Sequence, residues 1–185
     1  MSSIDNRLAA LGIALPDAIP PVVAGYTPAF APFVRTGDLI YLSGRIGKEN
    51  GNALCGKVDD EISLDRAKLA ARHLAIELLA VLKAAVGDLG SVRRIVKLSV
   101  MVNGAPHFTE PHKVADGASE LLVQVLGERG IHARTSICVA QIPFGACVEI
   151  DMIAEVNMRI LGRILEYWPL SPARNVDWIR KSPKS

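Results

Sequence analysis

Apolar residues in this chain repeat at two different spacings, and the switching between them constrains the fold more than any other feature. A two-residue repeat places one face of a β-strand against a core, and a three-to-four-residue repeat does the same for an α-helix. The strand repeat occupies a hairpin at residues 33–43 and strands at 94–103, 133–142 and 146–156; the helix repeat occupies residues 63–87 and 113–128. The order β-β-α-β-α-β-β predicts a two-layer α+β fold, in which two helices cover one face of a single sheet.

Local signals define where several of these elements begin and end. Ser63 is placed to cap the first long helix, and Gly87 follows its last turn. A short helix is predicted over residues 3–11, ahead of an arm rich in proline. Residues 44–56 contain four glycines and two asparagines, which predicts a loop.

Alternation along the later strands assigns their side chains to faces. Ile137 and Val139 are predicted to face the core, which places Arg134 and Ser136 on the opposite face. In the last strand, Glu149 points away from the apolar positions. The sheet then has a second, partly apolar face, which we expect copies of the chain to bury against each other. The residues predicted for this face are Ile95, Met101, Thr135 and Ile153.

Charge excludes some classes of function. Lys and Arg number 21 against 19 Asp and Glu, a net charge of +2, which is too balanced for a nucleic-acid binder that relies on bulk charge. Residues 157–185 differ, with six basic and two acidic residues, and are interpreted as a basic C-terminal extension. No segment approaches the roughly 18 consecutive apolar residues of a membrane span, so no membrane partner is expected. Because the charge is balanced, no nucleic-acid partner is expected either.

Motifs for common cofactors and metals are absent from the sequence. It contains no Walker phosphate loop, no G-x-S-x-G and no H-E-x-x-H. The three cysteines form no C-x-x-C pair, which favours free thiols and a cytoplasmic protein. The sequence therefore offers none of these standard sites, and no metal site is predicted.

Arg134 has the setting most typical of a ligand contact. It opens a strand among small and apolar neighbours, and its planar guanidinium can bind a carboxylate through two parallel hydrogen bonds. The alternative is a structural ion pair with Glu149 or Asp151 on an adjacent strand. Sequence spacing leaves both interpretations open.

Two motifs, far apart and in the right order, resemble the signature of the Rid family of reactive intermediate deaminases, also called YjgF-like. The first is TGDLIYLSGRI at residues 36–46, and the second is HARTSICVAQIP at residues 132–143, followed by VEIDMIA at residues 148–154. The N-terminal helix and arm resemble a branch of the family labelled endoribonuclease or chorismate-mutase-like. We therefore divide the chain into an N-terminal helix and arm (1–19), a Rid-like domain (20–156) and the basic extension (157–185).

The resemblance implies a chorismate-mutase-like protomer and a homotrimer, in which three sheets form a central barrel with ligand clefts between neighbours. It also implies hydrolysis of 2-aminoacrylate and related enamines or imines to 2-keto acids and ammonia, without a metal or cofactor. The expected partners are two further copies of the chain and a small metabolite that carries a carboxylate.

Site residues follow from the resemblance position by position. Arg134 matches the arginine that binds the substrate carboxylate, and Glu149 matches the glutamate associated with the attacking water. The further positions implied to bind substrate are Phe30, Gly44, Arg45, Ser136 and Asp116. Phe30 stands where the family usually has a tyrosine, Arg45 where it has a glutamine, and Asp116 where it has an asparagine.

Two other functions are compatible with the sequence. The same cleft could serve a non-catalytic protein that binds small carboxylates. An endoribonuclease is suggested by the label of the branch, but residues 1–156 carry a net negative charge and offer no His/Lys pair for phosphodiester cleavage.

Overall fold

A computed structural model describes residues 3–18 and 29–157 of the chain. The predicted basic extension beyond residue 157 and most of the proline-rich arm lie outside the described residues. The helices are α1 (Ser3–Ala10), α2 (Leu64–Val86) and α3 (Pro111–Leu126). The strands are β1 (Phe33–Thr36), β2 (Leu39–Ile46), β3 (Lys48–Glu49), β4 (Asn52–Ala53), β5 (Val92–Val102), β6 (Ala133–Cys138) and β7 (Val148–Val156).

Five strands form one mixed sheet in the order β1-β2-β7-β5-β6, which confirms the predicted α+β fold. Neighbouring strands are antiparallel except β5 and β6, which are parallel. Helices α2 and α3 pack against each other over the sheet, and apolar side chains fill the layer between. Strands β3 and β4 make a separate hairpin.

Helix α2 has the ends that the sequence predicted. The Ser63 hydroxyl accepts a hydrogen bond from the backbone N–H of Arg66 at 3.4 Å, and Gly87 ends the helix with a φ of 79°. Helix α1 also confirms its prediction, and it buries Ile4 and Leu8 in the same core as the two long helices.

The predicted loop at residues 44–56 is wrong. Strand β2 continues to Ile46, and β3 and β4 form a hairpin around Asn50 and Gly51, which both have positive φ. Asn-Gly is a favourable pair for a two-residue turn between strands. That pair was the signal for the hairpin, hidden among the other glycines.

Two assignments of side chains to faces are also wrong. Ile95 is only 1% exposed and lies in the core, because register shifts between β5 and β7 move the alternation by one residue. Ile137 is 49% exposed, because β6 is an edge strand that pairs Arg134 with the buried Leu98. Arg134 and Ser136 therefore lie on the helix-covered face of the sheet, and Ile137 lies on the open face.

The two long helices meet most closely at Gly117 of α3. A Cβ atom at this position would overlap the backbone carbonyl oxygen of Lys68 in α2. Backbone cannot move aside as a flexible side chain can, so only glycine permits this approach. Gly117 thereby determines how deeply α3 lies over the sheet, and with it the positions of the neighbouring Asp116 and Ser119.

We expect Gly117→Ala to destabilise the protein by about 1–3 kcal/mol through overpacking. In an exposed helix the same change would stabilise by up to about 1 kcal/mol, so the sign of the effect is informative. The measurement is the free energy of unfolding in urea. Glu120→Ala, at an exposed position on α3 that forms a surface ion pair with Lys68, is the matched control and should shift stability by about 0.5 kcal/mol or less. A Gly117→Ala protein as stable as the natural chain would contradict the close approach.

Candidate functional site

Five of the seven residues predicted for the site fall into two groups on opposite faces of the sheet, each with further residues that the sequence did not predict. One group surrounds Arg134 at the β6 edge, under helix α3; we call it the arginine cluster, and it comprises Asp116, Ser119, His132, Arg134 and Ser136. The other surrounds Glu149 on the open face; we call it the glutamate cluster, and it comprises Gly44, Glu149 and Asp151.

Arg134 is held by helix α3. Its Nη1 atom donates to Asp116 Oδ1 at 2.8 Å and to Ser119 Oγ at 2.9 Å. Its Nε and Nη2 atoms make no hydrogen bond with the described residues. The structure thus brings together Arg134 and Asp116, two of the predicted site residues.

The alternative pairing of Arg134 with Glu149 or Asp151 is wrong. Strand β5 lies between β6 and β7, so the strand that carries Arg134 is not adjacent to the strand that carries the two carboxylates. The ion pair that forms instead is with Asp116, which reaches Arg134 from the helix layer.

Ser119 and His132 complete the arginine cluster, although the sequence did not single them out. Ser119 Oγ lies 3.0 Å from His132 Nε2, and His132 Nδ1 lies 2.6 Å from the carbonyl oxygen of Gly130. Burial lowers the pKa of His132, and the nearby charge of Arg134 lowers it further. Two signals could have found them: Ser119 follows Asp116 by three residues on α3, and His132 precedes Arg134 by two.

Ser136 follows Arg134 on the same face of β6. Its hydroxyl oxygen is buried and has no hydrogen-bond partner in the described part of the chain. Leaving a buried hydroxyl unpaired costs about 1–3 kcal/mol, so such groups mark places where a ligand or water completes the bonding.

Glu149 is a half-buried carboxylate without a cation beside it. Burial raises its pKa, and repulsion from Asp151 raises it further. It forms no ion pair or hydrogen bond with the described residues. A carboxylate in this condition can accept and return a proton at moderate pH, as general acid–base chemistry requires.

Gly44 makes room for the Glu149 side chain. A Cβ atom on Gly44 would overlap Glu149 Oε1, so the carboxylate lies directly against the β2 backbone. Ser43 holds the chain before β1 at this point: its N–H donates to the Pro32 carbonyl at 3.0 Å, and its hydroxyl to the Ala31 carbonyl at 2.7 Å. Phe30, which directly precedes Ala31, is half-exposed.

Arg45 is not brought to Glu149. A register shift between Leu42 and Arg45 turns the Arg45 side chain to the helix-covered face, where it is 6% exposed. Its Nη1 atom lies 2.9 Å from Glu77 Oε2 on α2, and Lys48 shares that carboxylate at 3.3 Å. The charge of Arg45, which the sequence predicted to lie near the substrate, is therefore neutralised by Glu77 within the fold.

The two clusters do not meet within one copy of the chain. Glu149 pairs with Met101, which pairs with Ile137, whereas Arg134 pairs with Leu98. Two strand spacings and three residues of rise separate the Cα atoms of Arg134 and Glu149 by about 14 Å, and their side chains lie on opposite faces.

Other kinds of site receive no support. Within residues 3–18 and 29–157, no three His, Cys, Asp or Glu side chains are grouped to hold a metal ion. No described helix has the length and apolar character needed to cross a membrane. The three cysteines are free, and burial raises the pKa of Cys147 to about 11, so its thiol stays protonated.

Comparison with known proteins gives consistent relatives. The sequence model of the family described as "YjgF/chorismate mutase-like, putative endoribonuclease" matches residues 5–156. Protein TCP17 of Trypanosoma cruzi is 40% identical over 153 residues, covering 82% of this chain and 92% of that protein.

Two solved structures also match. Atu1372 of Agrobacterium tumefaciens, described as of unknown function, is 40% identical with a TM-score of 0.74, covering 83% of this chain and 93% of its own. A "putative endoribonuclease" of Shewanella oneidensis MR-1 is 26% identical with a TM-score of 0.75, covering 84% of this chain and 100% of its own. These matches extend over more than four fifths of this chain.

The raised pKa of Glu149 predicts a stability cost that depends on pH. The folded protein favours the protonated form of Glu149. Its stability therefore falls as pH rises from 4.5, the ordinary pKa of a glutamate, through the higher pKa that Glu149 has in the folded protein. We expect Glu149→Gln to be more stable than the natural chain at pH 7 and to lose this advantage near pH 4. Urea unfolding at both pH values measures the effect.

Glu155→Gln is the matched control. Glu155 lies on the same strand but pairs with Arg93 and Arg94 at 2.8 and 3.2 Å, so its substitution should not stabilise at pH 7. If Glu149→Gln behaved like Glu155→Gln, the Glu149 carboxylate would have a partner that the structure does not show.

Proposed function

This chain belongs to the YjgF/chorismate-mutase-like family, and from that premise we propose that it hydrolyses small enamines or imines of the 2-aminoacrylate type to 2-keto acids and ammonia. The observation that carries the proposal is the partly satisfied hydrogen bonding of the Arg134 guanidinium. Helix α3 fixes its Nη1 atom, while Nε and Nη2 have no partner in the described part of the chain. The guanidinium is thus fixed in place but not saturated.

The free edge of Arg134 suits a carboxylate. Nε and Nη2 lie along one side of the planar guanidinium, and their two N–H groups match the two oxygens of a carboxylate. Ser136, on the same face, adds a buried hydroxyl that has no hydrogen-bond partner among the described residues. These groups would hold the acid end of the substrate and leave its C=N bond facing the cleft.

Glu149 supplies the acid–base step of the proposed reaction. The enamine first tautomerises to an imine: C3 takes a proton and nitrogen loses one, both exchanged with water. Glu149 then takes a proton from a second water as the oxygen of that water bonds to the imine C2, and passes the proton to nitrogen. The proton of the C2 hydroxyl moves to nitrogen as the C–N bond breaks, which releases ammonia and leaves the keto acid. The pKa of Glu149, raised by burial, suits both directions of transfer.

Two copies of the chain would form each cleft. Since Arg134 and Glu149 lie on opposite faces and about 14 Å apart in one copy, we assign them to one cleft only where neighbouring copies meet. The open face of the sheet offers apolar surface for such contact, including the exposed Tyr41 and Ile137 and the half-buried Met101 and Ile153. A homotrimer closes this arrangement and covers the free edges of β1 and β6.

A non-catalytic carboxylate-binding protein is the second candidate. It is favoured by Phe30, which has no hydroxyl to contribute to proton transfer where the family usually has a tyrosine. The two candidates share the Arg134 anchor and differ in turnover. The measurement that separates them is release of ammonia from an enamine generated in situ by a serine or threonine dehydratase.

We expect Arg134→Ala to weaken binding of pyruvate, a small 2-keto acid, by about 2–4 kcal/mol, because a charged bidentate contact is lost. Arg134→Lys keeps the charge without the planar fork and should also weaken binding. Calorimetric titration measures both. Unchanged affinity together with a lower melting temperature would identify Arg134 as a purely structural partner of Asp116.

A mixing experiment tests the shared cleft. Arg134→Ala and Glu149→Gln should each be inactive alone, whereas trimers refolded from an equal mixture should regain about a quarter of the natural activity. That fraction is the share of clefts that draw Arg134 from one variant and Glu149 from the other. If the mixture stayed inactive although light scattering showed mixed trimers, the two residues would not act across an interface.

A further inference from the structure

Ser119 is hydrogen-bonded to Arg134, and His132 is hydrogen-bonded to Ser119. No step of the proposed reaction uses either residue. We propose that they are positioning residues, which keep the carboxylate-binding edge of Arg134 free by stopping Asp116 from occupying it. The inference rests on the proposed function, since it concerns the same anchor. It also explains how Ser119 and His132, which do not contact the substrate, would affect the affinity of Arg134 for the substrate carboxylate.

The hydrogen bonds of the arginine cluster form a chain from the Gly130 carbonyl, which can only accept, to the Arg134 guanidinium, which can only donate. These two groups determine the direction of every bond between them. The Gly130 carbonyl can only accept, so His132 Nδ1 carries the proton across the 2.6 Å contact. In the neutral ring Nε2 is then an acceptor, and Ser119 must donate its hydroxyl proton to it at 3.0 Å. The Ser119 oxygen therefore presents only lone pairs to Arg134.

This arrangement uses both hydrogens of Arg134 Nη1. One is donated to Asp116 Oδ1 at 2.8 Å and the other to Ser119 Oγ at 2.9 Å. Asp116 thus contacts the guanidinium through one nitrogen only. The chain of bonds ends on backbone, and each donor in it has an acceptor, so the bonds strengthen one another.

Without Ser119, Arg134 would keep only Asp116. A carboxylate beside a guanidinium prefers the two-bond contact, in which both oxygens face two nitrogens. Rotation of the guanidinium would then give its free edge to Asp116 and displace the substrate carboxylate. Ser119, oriented by His132, holds Nη1 against that rotation.

Helix α3 and the segment around Gly130, which carry these hydrogen-bonded residues, are packed together without room to shift. Gly117, between Asp116 and Ser119, lies against the Lys68 carbonyl, and a Cβ on Gly130 would overlap the Leu122 carbonyl of α3. His132 therefore takes its orientation from a carbonyl that is itself fixed against the helix bearing Ser119. A functional side chain is held to sub-ångström precision only by such support.

The test compares removal of each group with its conservative replacement. We expect Ser119→Ala and His132→Ala to raise the Kd for pyruvate and the KM for the enamine on the order of tenfold, with kcat within about twofold. Ser119→Thr keeps the hydroxyl, and His132→Gln keeps an acceptor near the Nε2 position, so both should recover most of the affinity. Glu120→Ala, next to Ser119 on α3, is the control and should match the natural chain.

The outcomes separate this inference from the proposed function. If the natural chain binds and turns over substrate while Ser119→Ala only lowers the melting temperature, the positioning role is refuted and the function stands. If the natural chain neither binds pyruvate nor releases ammonia, the proposed function fails. ¹⁵N NMR then decides the positioning role alone: His132 should show an unprotonated Nε2, and the distinct Nη1 signals of Arg134 should broaden in Ser119→Ala. Unchanged Arg134 signals would refute it.

Discussion

The contact between α2 and α3 at Gly117 determines the chemistry available at the edge of the sheet. Because no side chain separates the two helix backbones there, α3 lies low enough over β6 for Asp116 and Ser119 to reach Arg134. A larger residue would lift α3 and lengthen both hydrogen bonds. The packing of the two helices and the geometry of the arginine cluster therefore depend on one glycine, and the cluster inherits the rigidity of the core.

The alternation of the sheet keeps opposite charges apart. Arg134 lies on the covered face with the carboxylate of Asp116 beside it, and Glu149 lies on the open face with no cation beside it among the described residues. A guanidinium next to Glu149 would lower its pKa and weaken it as a base. By separating the two within a copy, the fold lets Arg134 keep its ion pair with Asp116 and Glu149 keep a raised pKa. In the proposed trimer the two would meet only across an interface between copies.

The departures at Arg45 and Phe30 have different consequences. The charge of Arg45 is absorbed by Glu77 inside the protein, assisted by a register shift that turns the side chain away from Glu149. Phe30 has no hydroxyl, and the hydroxyl of Ser43, next to Gly44, is donated to the Ala31 carbonyl at 2.7 Å. The departure at Arg45 is therefore compensated within the fold, whereas the departure at Phe30 bears on the proposed proton transfer.

The sequence by itself determined the element order and the ends of α2, because the periodicity of apolar residues and the cap at Ser63 act within one or two turns of chain. It also singled out Arg134 and Glu149 as candidate site residues, through motifs rather than geometry. Only the tertiary structure decided that β5 separates β6 from β7, that Ile137 faces outward, and that Asp116 is the partner of Arg134. These depend on strand order and helix packing between residues distant in sequence. An edge strand covered on one face gives no local signal of which face that is.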